Sequence, residues 1–140
     1  MLVSDAVLKL EIQAKPRLGR VVRERVTEFA RAHGVDDVDL DQFLTALGEA
    51  LANAIEHARC DGTIHVECRA PGDRIVATVQ DDGVGFQSAA AAPQLPSVFS
   101  ERGRGLPIMR RCSDIFSVTS EPGRGTEVII GRYLHGHAAA

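Results

Sequence analysis

The stretch Leu47-Gly48-Glu49-Ala50-Leu51-Ala52-Asn53-Ala54-Ile55-Glu56-His57-Ala58 lies in the longest helical pattern of the chain. Across residues 38–58, Leu40, Phe43, Leu44, Leu47, Leu51, Ala54, Ile55 and Ala58 recur at helical spacing. At about 100° per residue, with Leu40 as origin, the large apolar side chains cover an arc from about 300° to about 60°. Glu49, Asn53 and His57 fall at about 180°, 220° and 260°, a row spaced four residues apart that the wheel directs away from the sheet-side core. Such a row is ordinarily a solvated stripe on an amphipathic helix. It can also turn a carboxylate and an amide oxygen toward one ligand. The amide suits Mg²⁺, and the carboxylate suits the proton of an attacking hydroxyl.

Outward from this helix, the N-terminal side holds an alternating strand over residues 6–13. A helix follows, able to begin at Pro16 and stop at Gly34, with Leu18, Val22, Val26 and Phe29 on one face. On the C-terminal side, alternating runs at 63–68 and 75–80 are joined through Ala70-Pro71-Gly72-Asp73, which is turn chemistry. Residues 87–102 have no periodicity and are rich in Ala, Ser and Pro. A loop of that length inside a compact domain is usually functional, often a lid. A helix over 105–112 and strands over 115–120 and 127–132 complete the pattern, with the turn Glu121-Pro-Gly-Arg-Gly between the strands. The expected fold is α+β, a two-layer α/β sandwich whose mixed, mostly antiparallel sheet carries helices on one face. One domain, 1–134, is followed by a disordered tail at 135–140.

Composition narrows the chemistry. The 140 residues carry a net charge of −3, which argues against nucleic acid as partner. Of the 16 cationic side chains all but Lys9 and Lys15 are arginine, and both lysines precede any glycine-rich segment. A Walker A loop and a eukaryotic-type kinase site each need a lysine on the phosphates, so both are excluded. Cys60, Cys68 and Cys112 form no CxxC and no zinc-like array, and read as reduced thiols filling the core. No signal peptide and no apolar run long enough to span a membrane is recognisable, which predicts a soluble cytoplasmic protein.

Three glycine motifs remain. In Val79-Gln80-Asp81-Asp82-Gly83-Val84-Gly85-Phe86 a carboxylate ends a strand and two glycines permit close backbone approach to a flat ligand. Asp81 could accept a hydrogen bond from an exocyclic amine there, although Asp-Gly is also a common turn. Gly103-Arg104-Gly105-Leu106-Pro107 stands where the long loop becomes a helix, beside Arg102, and exposed first-turn N–H groups favour an anion. Gly123-Arg124-Gly125-Thr126, taken alone, is a hairpin turn. The even interval between these Gly-X-Gly pairs is coincidence, since a strand end, a helix start and a turn surround them in turn.

Each motif is weak alone, but their order is specific. Glu49-xxx-Asn53-xxx-His57, Asp81-x-Gly83-x-Gly85, Gly103-x-Gly105-Leu106 and Gly125-Thr126 resemble the N, G1, G2 and G3 boxes of the GHKL ATPase superfamily, the Bergerat fold. The resemblance covers residues 6–133 and, within the superfamily, is nearest to the anti-sigma-factor serine/threonine-protein kinases of bacterial stress and sporulation control. It implies an ATP- and Mg²⁺-dependent kinase, usually a homodimer. Such a kinase phosphorylates a serine or threonine of an anti-anti-sigma factor protein and can hold a sigma factor inactive. Glu49 would be the base, and Asn53 the Mg²⁺ ligand. Asp81 would read adenine with Gly83 and Gly85 shaping its pocket, Gly103, Gly105 and Leu106 would lie at the phosphates, and Thr126 would support the adenine end. Arg102 and Arg104 both qualify as the lid arginine on the γ-phosphate, and His57 would pack or hydrogen-bond. Other readings are a nucleotide-gated regulator-sequestering module with little kinase activity and a stand-alone histidine-kinase catalytic domain. The short loop and missing dimerisation helix weigh against the latter.

Overall fold

The computed structural model describes residues 6–58, 62–83 and 105–134. Five strands form one sheet: β1 (Val7–Gln13), β2 (Thr63–Arg69), β3 (Arg74–Asp81), β4 (Ile115–Glu121) and β5 (Gly125–Tyr133). Their order is β1-β2-β3-β5-β4, and every pairing among them is antiparallel. The parallel minority expected of a mixed sheet is therefore not found among the described strands. Helices α1 (Pro16–Ala32), α2 (Asp37–His57) and α3 (Gly105–Arg111) complete the fold. Element positions agree with the periodicities to within about two residues, the usual uncertainty of an end.

Local chemistry explains the boundaries. Pro16 opens α1, and Gly34, at φ 80°, lies past its end. Asp36 caps α2 by accepting the Asp39 N–H at 2.9 Å, with Asp37 and Asp39 in the first turn complementing the helix dipole.

Strand alternation sorts the two faces. Ile64, Val66, Cys68, Ile75, Ala77, Val79, Val128 and Ile130 point into one core with Val22, Val26, Phe43, Leu47 and Leu51 of the helices. Lys9, Glu11, His65, Glu67, Thr78, Gln80 and Glu127 occupy the opposite face of the sheet. Burial pushes the Cys68 thiol up to about 12, which makes it inert core filler; Cys112 is half-buried, and Cys60 lies outside the described residues. The 87–102 loop and the 135–140 tail also lie outside them. Among the described residues no helix is long and apolar enough to cross a membrane.

Candidate functional site

The C-terminal end of α2 meets the C-terminal end of β3, and a narrow cleft runs between them. Asn53 and His57 of α2, Asp81 of β3 and Thr126 of β5 line it over an apolar floor of Ala50, Ala54, Val79 and Val128. Two glycines make this convergence possible. A Cβ on Gly83 would overlap the His57 carbonyl, so glycine lets the chain leaving β3 lie against the end of α2. Gly125 sits at φ 90°, and a Cβ there would overlap the Asp81 carbonyl, so glycine lets β5 begin directly on β3. The register then pairs Asp81 with Thr126.

Asp81 is only 7% exposed. Burial raises its pKa above the ordinary carboxylate range. The backbone amides of Gly83, 2.7 Å from Oδ1, and of Thr126 act in the other direction. Asp82 adds to the rise, and His57 offsets it. The result is an acceptor anchored from behind by the main chain, with its carboxylate on the cleft wall.

Asn53 is 9% exposed, and its Nδ2 has no partner among the described residues; His57 Nε2 is likewise buried and unpaired. An unsatisfied buried polar group costs about 1–3 kcal/mol. Two of them on one cleft wall mark a place built to meet a ligand rather than one built for stability.

Their position corrects the helical wheel. The row of Glu49, Asn53 and His57 does not face away from the sheet. Ala46, Ala50 and Ala54 are buried at 0%, 0% and 5% exposure. They carry α2 against the strands, so its buried arc runs from about 220° to about 20°. Counting only large side chains displaced the expected arc, whereas the alanine face brings Asn53 to its edge. Glu49 is half-buried, one turn before Asn53 and outside the cleft lining.

The residues expected at the phosphates lie mostly outside the described ones. Gly105 and Leu106 open α3 as expected. Gly85, Arg102, Gly103 and Arg104 lie outside the described residues. Among the described residues no three His, Cys, Asp or Glu side chains converge on a metal position. Asn53 fits Mg²⁺ through its amide oxygen, since the ion takes one or two protein oxygens and completes its shell with phosphates and water, and the Asn53 Nδ2 is left to donate to the bound molecule.

One contributor escaped the motif reading. Ser120 of β4, 3% exposed, donates Oγ–H to the Gly125 carbonyl at 3.1 Å and lies 2.9 Å from the Thr126 hydroxyl. The available signal was the hairpin register, which places Ser120 opposite Thr126 once the turn at Pro122-Gly123 is fixed.

Comparison with known proteins bears on the fold and the family. The histidine kinase-like ATPase domain family matches residues 12–131. The anti-sigma F factor of Clostridium perfringens (strain SM101) is 29% identical over 94% of this chain and 99% of its own. The serine-protein kinase RsbW of Bacillus velezensis is 29% identical over 97% of this chain and 91% of its own. Among solved structures, the RsbU and RsbW domains of Rv1364c from Mycobacterium tuberculosis superpose with a TM-score of 0.71 at 23% identity, covering 92% of this chain and 32% of that one. The catalytic domain of histidine kinase ThkA superposes with a TM-score of 0.57 at 16% identity, covering 91% and 97%, which speaks for the fold alone. The chain belongs to the histidine kinase-like ATPase domain family.

Proposed function

We propose that this protein is a cytoplasmic, homodimeric anti-sigma factor and ATP-dependent serine/threonine kinase that phosphorylates an anti-anti-sigma factor. The names of the full-length relatives support this reading. The observation that carries it is the convergence of Asn53, whose buried Nδ2 has no partner among the described residues, with amide-anchored Asp81 on one cleft.

Phosphoryl transfer asks a protein mainly for positioning and charge stabilisation. Asp81 accepts the adenine amine, and Thr126 supports the same end. Asn53 would hold Mg²⁺ through its amide oxygen, and the ion would supply charge neutralisation at the phosphates. The family resemblance assigns Gly103, Gly105 and Leu106 to the phosphates and Arg102 or Arg104 to the γ-phosphate. Glu49 stands one turn from Asn53, about 6 Å between Cβ atoms, near enough to serve the same substrate. As the substrate hydroxyl oxygen bonds to the γ-phosphorus and the bond to the ADP oxygen breaks, the hydroxyl proton passes to the Glu49 carboxylate.

The test mixes the protein with γ-labelled ATP and a candidate anti-anti-sigma factor protein. Label is expected on a serine or threonine. Glu49→Gln should keep ATP affinity within about twofold and slow transfer by about 10²- to 10⁴-fold. Bound ATP with no labelled hydroxyl would refute the kinase. Label on a partner histidine would favour the histidine-kinase domain instead. A Glu49→Gln protein that still regulates normally would favour the sequestering module.

A further inference from the structure

We propose that Ser120 is a positioning residue for base specificity. It forces the Thr126 hydroxyl to present lone pairs to the cleft, so the site selects an exocyclic amine and rejects a carbonyl. The proposal rests on the nucleotide reading above and concerns how that reading discriminates among purines.

A hydroxyl has one proton to donate. The Ser120 proton goes to the Gly125 carbonyl, which can only accept. The contact of 2.9 Å between Ser120 Oγ and Thr126 Oγ1 therefore needs its proton from Thr126. The reverse arrangement, Ser120 donating to Thr126, would withdraw this donor from the Gly125 carbonyl at a buried contact, which is costly. Gly125 cannot readily turn that carbonyl elsewhere, because its backbone is pressed against Asp81 at φ 90°. With its proton committed to Ser120, Thr126 Oγ1 retains only acceptor capacity.

Asp81 matches it. The ionised carboxylate is an acceptor, and the backbone N–H groups of Gly83 and Thr126 hold it from the protein side. Thr126 and Asp81 face each other in the sheet register and line the same cleft. They therefore offer two acceptors to the base edge. Adenine meets them with its 6-amino group, whereas hypoxanthine and guanine bring a 6-carbonyl oxygen. Sites built around a substrate N–H discriminate strongly because the mismatched analogue leaves acceptor facing acceptor.

Equilibrium binding of ATP and ITP to the full chain tests this. Wild type should prefer ATP. Ser120→Ala releases the Thr126 proton, which can then be donated to the 6-carbonyl, so the ATP-over-ITP ratio should fall about tenfold with ATP affinity changed less than about threefold. Ser120→Thr, which keeps the hydroxyl, should restore the ratio. Thr126→Val gives an independent reading if Ser120→Ala folds poorly. It should weaken ATP and leave ITP unchanged or slightly tighter, because an acceptor is lost to the amine and an acceptor–acceptor mismatch is relieved for the carbonyl. The opposite pattern, ITP weakened and ATP unchanged, would show the hydroxyl to be a donor and overturn the proposal. So would an unchanged ratio in a folded Ser120→Ala protein. Wild type that binds neither nucleotide would instead refute the nucleotide reading itself.

Discussion

On the proposed function, Asp81 works against the fold in order to serve the site. Its pKa is raised in the folded state, with burial as the main cause. A group shifted this way contributes stability that is fully present below its unfolded pKa, about 3.9, and lost as pH rises through the folded value. Binding an amine needs the ionised form and runs the other way, failing as pH falls through the raised pKa. ATP affinity should therefore begin to drop at a higher pH than an ordinary aspartate would dictate, in a range where the fold itself is gaining from the same group. Asp81→Asn should remove this pH dependence, raise the neutral-pH Tm, and weaken ATP about 10- to 100-fold through loss of a charge-assisted hydrogen bond. Thermal melts and ATP titrations across pH check all three, and an Asn variant that is less stable yet binds equally well would refute them. Asp81, a carboxylate at a strand end before two glycines, was readable as a candidate acceptor. Its burial was not, because that depends on Gly125 and Thr126 of a different strand closing over it.

Elements were legible where one period dominates. The alternation of β2 and β3 and the apolar stripe of α1 need no partner to be recognised. On α2, the helix was clear but its facing was not. Alanines at Ala46, Ala50 and Ala54 add little to a wheel of large side chains, yet they set how closely the helix approaches the sheet. The β4–β5 hairpin shows the same limit. Its two glycines read alike, with φ 83° at Gly123 and φ 90° at Gly125. Their surroundings differ, since a Cβ at Gly123 meets nothing within 4 Å, whereas one at Gly125 runs into the Asp81 main chain. Gly123→Ala should thus cost only the left-handed backbone penalty, about 1–2 kcal/mol. Gly125→Ala should cost about 2–4 kcal/mol and also weaken ATP, because β5 must shift away from β3 and carry Thr126 with it. Urea unfolding alongside ATP titration separates the two. Equal stability losses, or unchanged ATP binding in the Gly125 variant, would mean that the close approach does not set the site.

At the scale of the whole molecule, α2 and β5 each run from a clamp at one end to the cleft at the other. The clamp is Arg132 of β5, whose Nη2 donates to Asp39 in the first turn of α2 at 3.1 Å and whose Nη1 donates to the Cys112 carbonyl just after α3 at 3.3 Å. Asp39 is 1% exposed, and the Arg132 side chain 12%. The partners stand 93 residues apart, so no local pattern announces them. From Asp39 to Asn53 the helix covers about 21 Å, and from Arg132 to Thr126 the strand covers about 20 Å. That separation predicts a division of labour. Removing one partner leaves the other charge buried, so Asp39→Asn or Arg132→Met should each cost about 3–5 kcal/mol, a large share of the 5–15 kcal/mol typical of a domain. Asp39→Leu combined with Arg132→Met should recover most of that loss, because an apolar pair of similar volume often replaces a buried ion pair without penalty. Sites this far apart should also be energetically independent, so the double variant should bind ATP within about twofold of wild type. Chemical denaturation of the two single variants and the double variant, with ATP titration of each folded protein, gives the answer. Losses below about 1 kcal/mol in the singles would show the pair to be superficial, and a double variant that is stable yet fails to bind ATP would show that the clamp reaches the cleft after all.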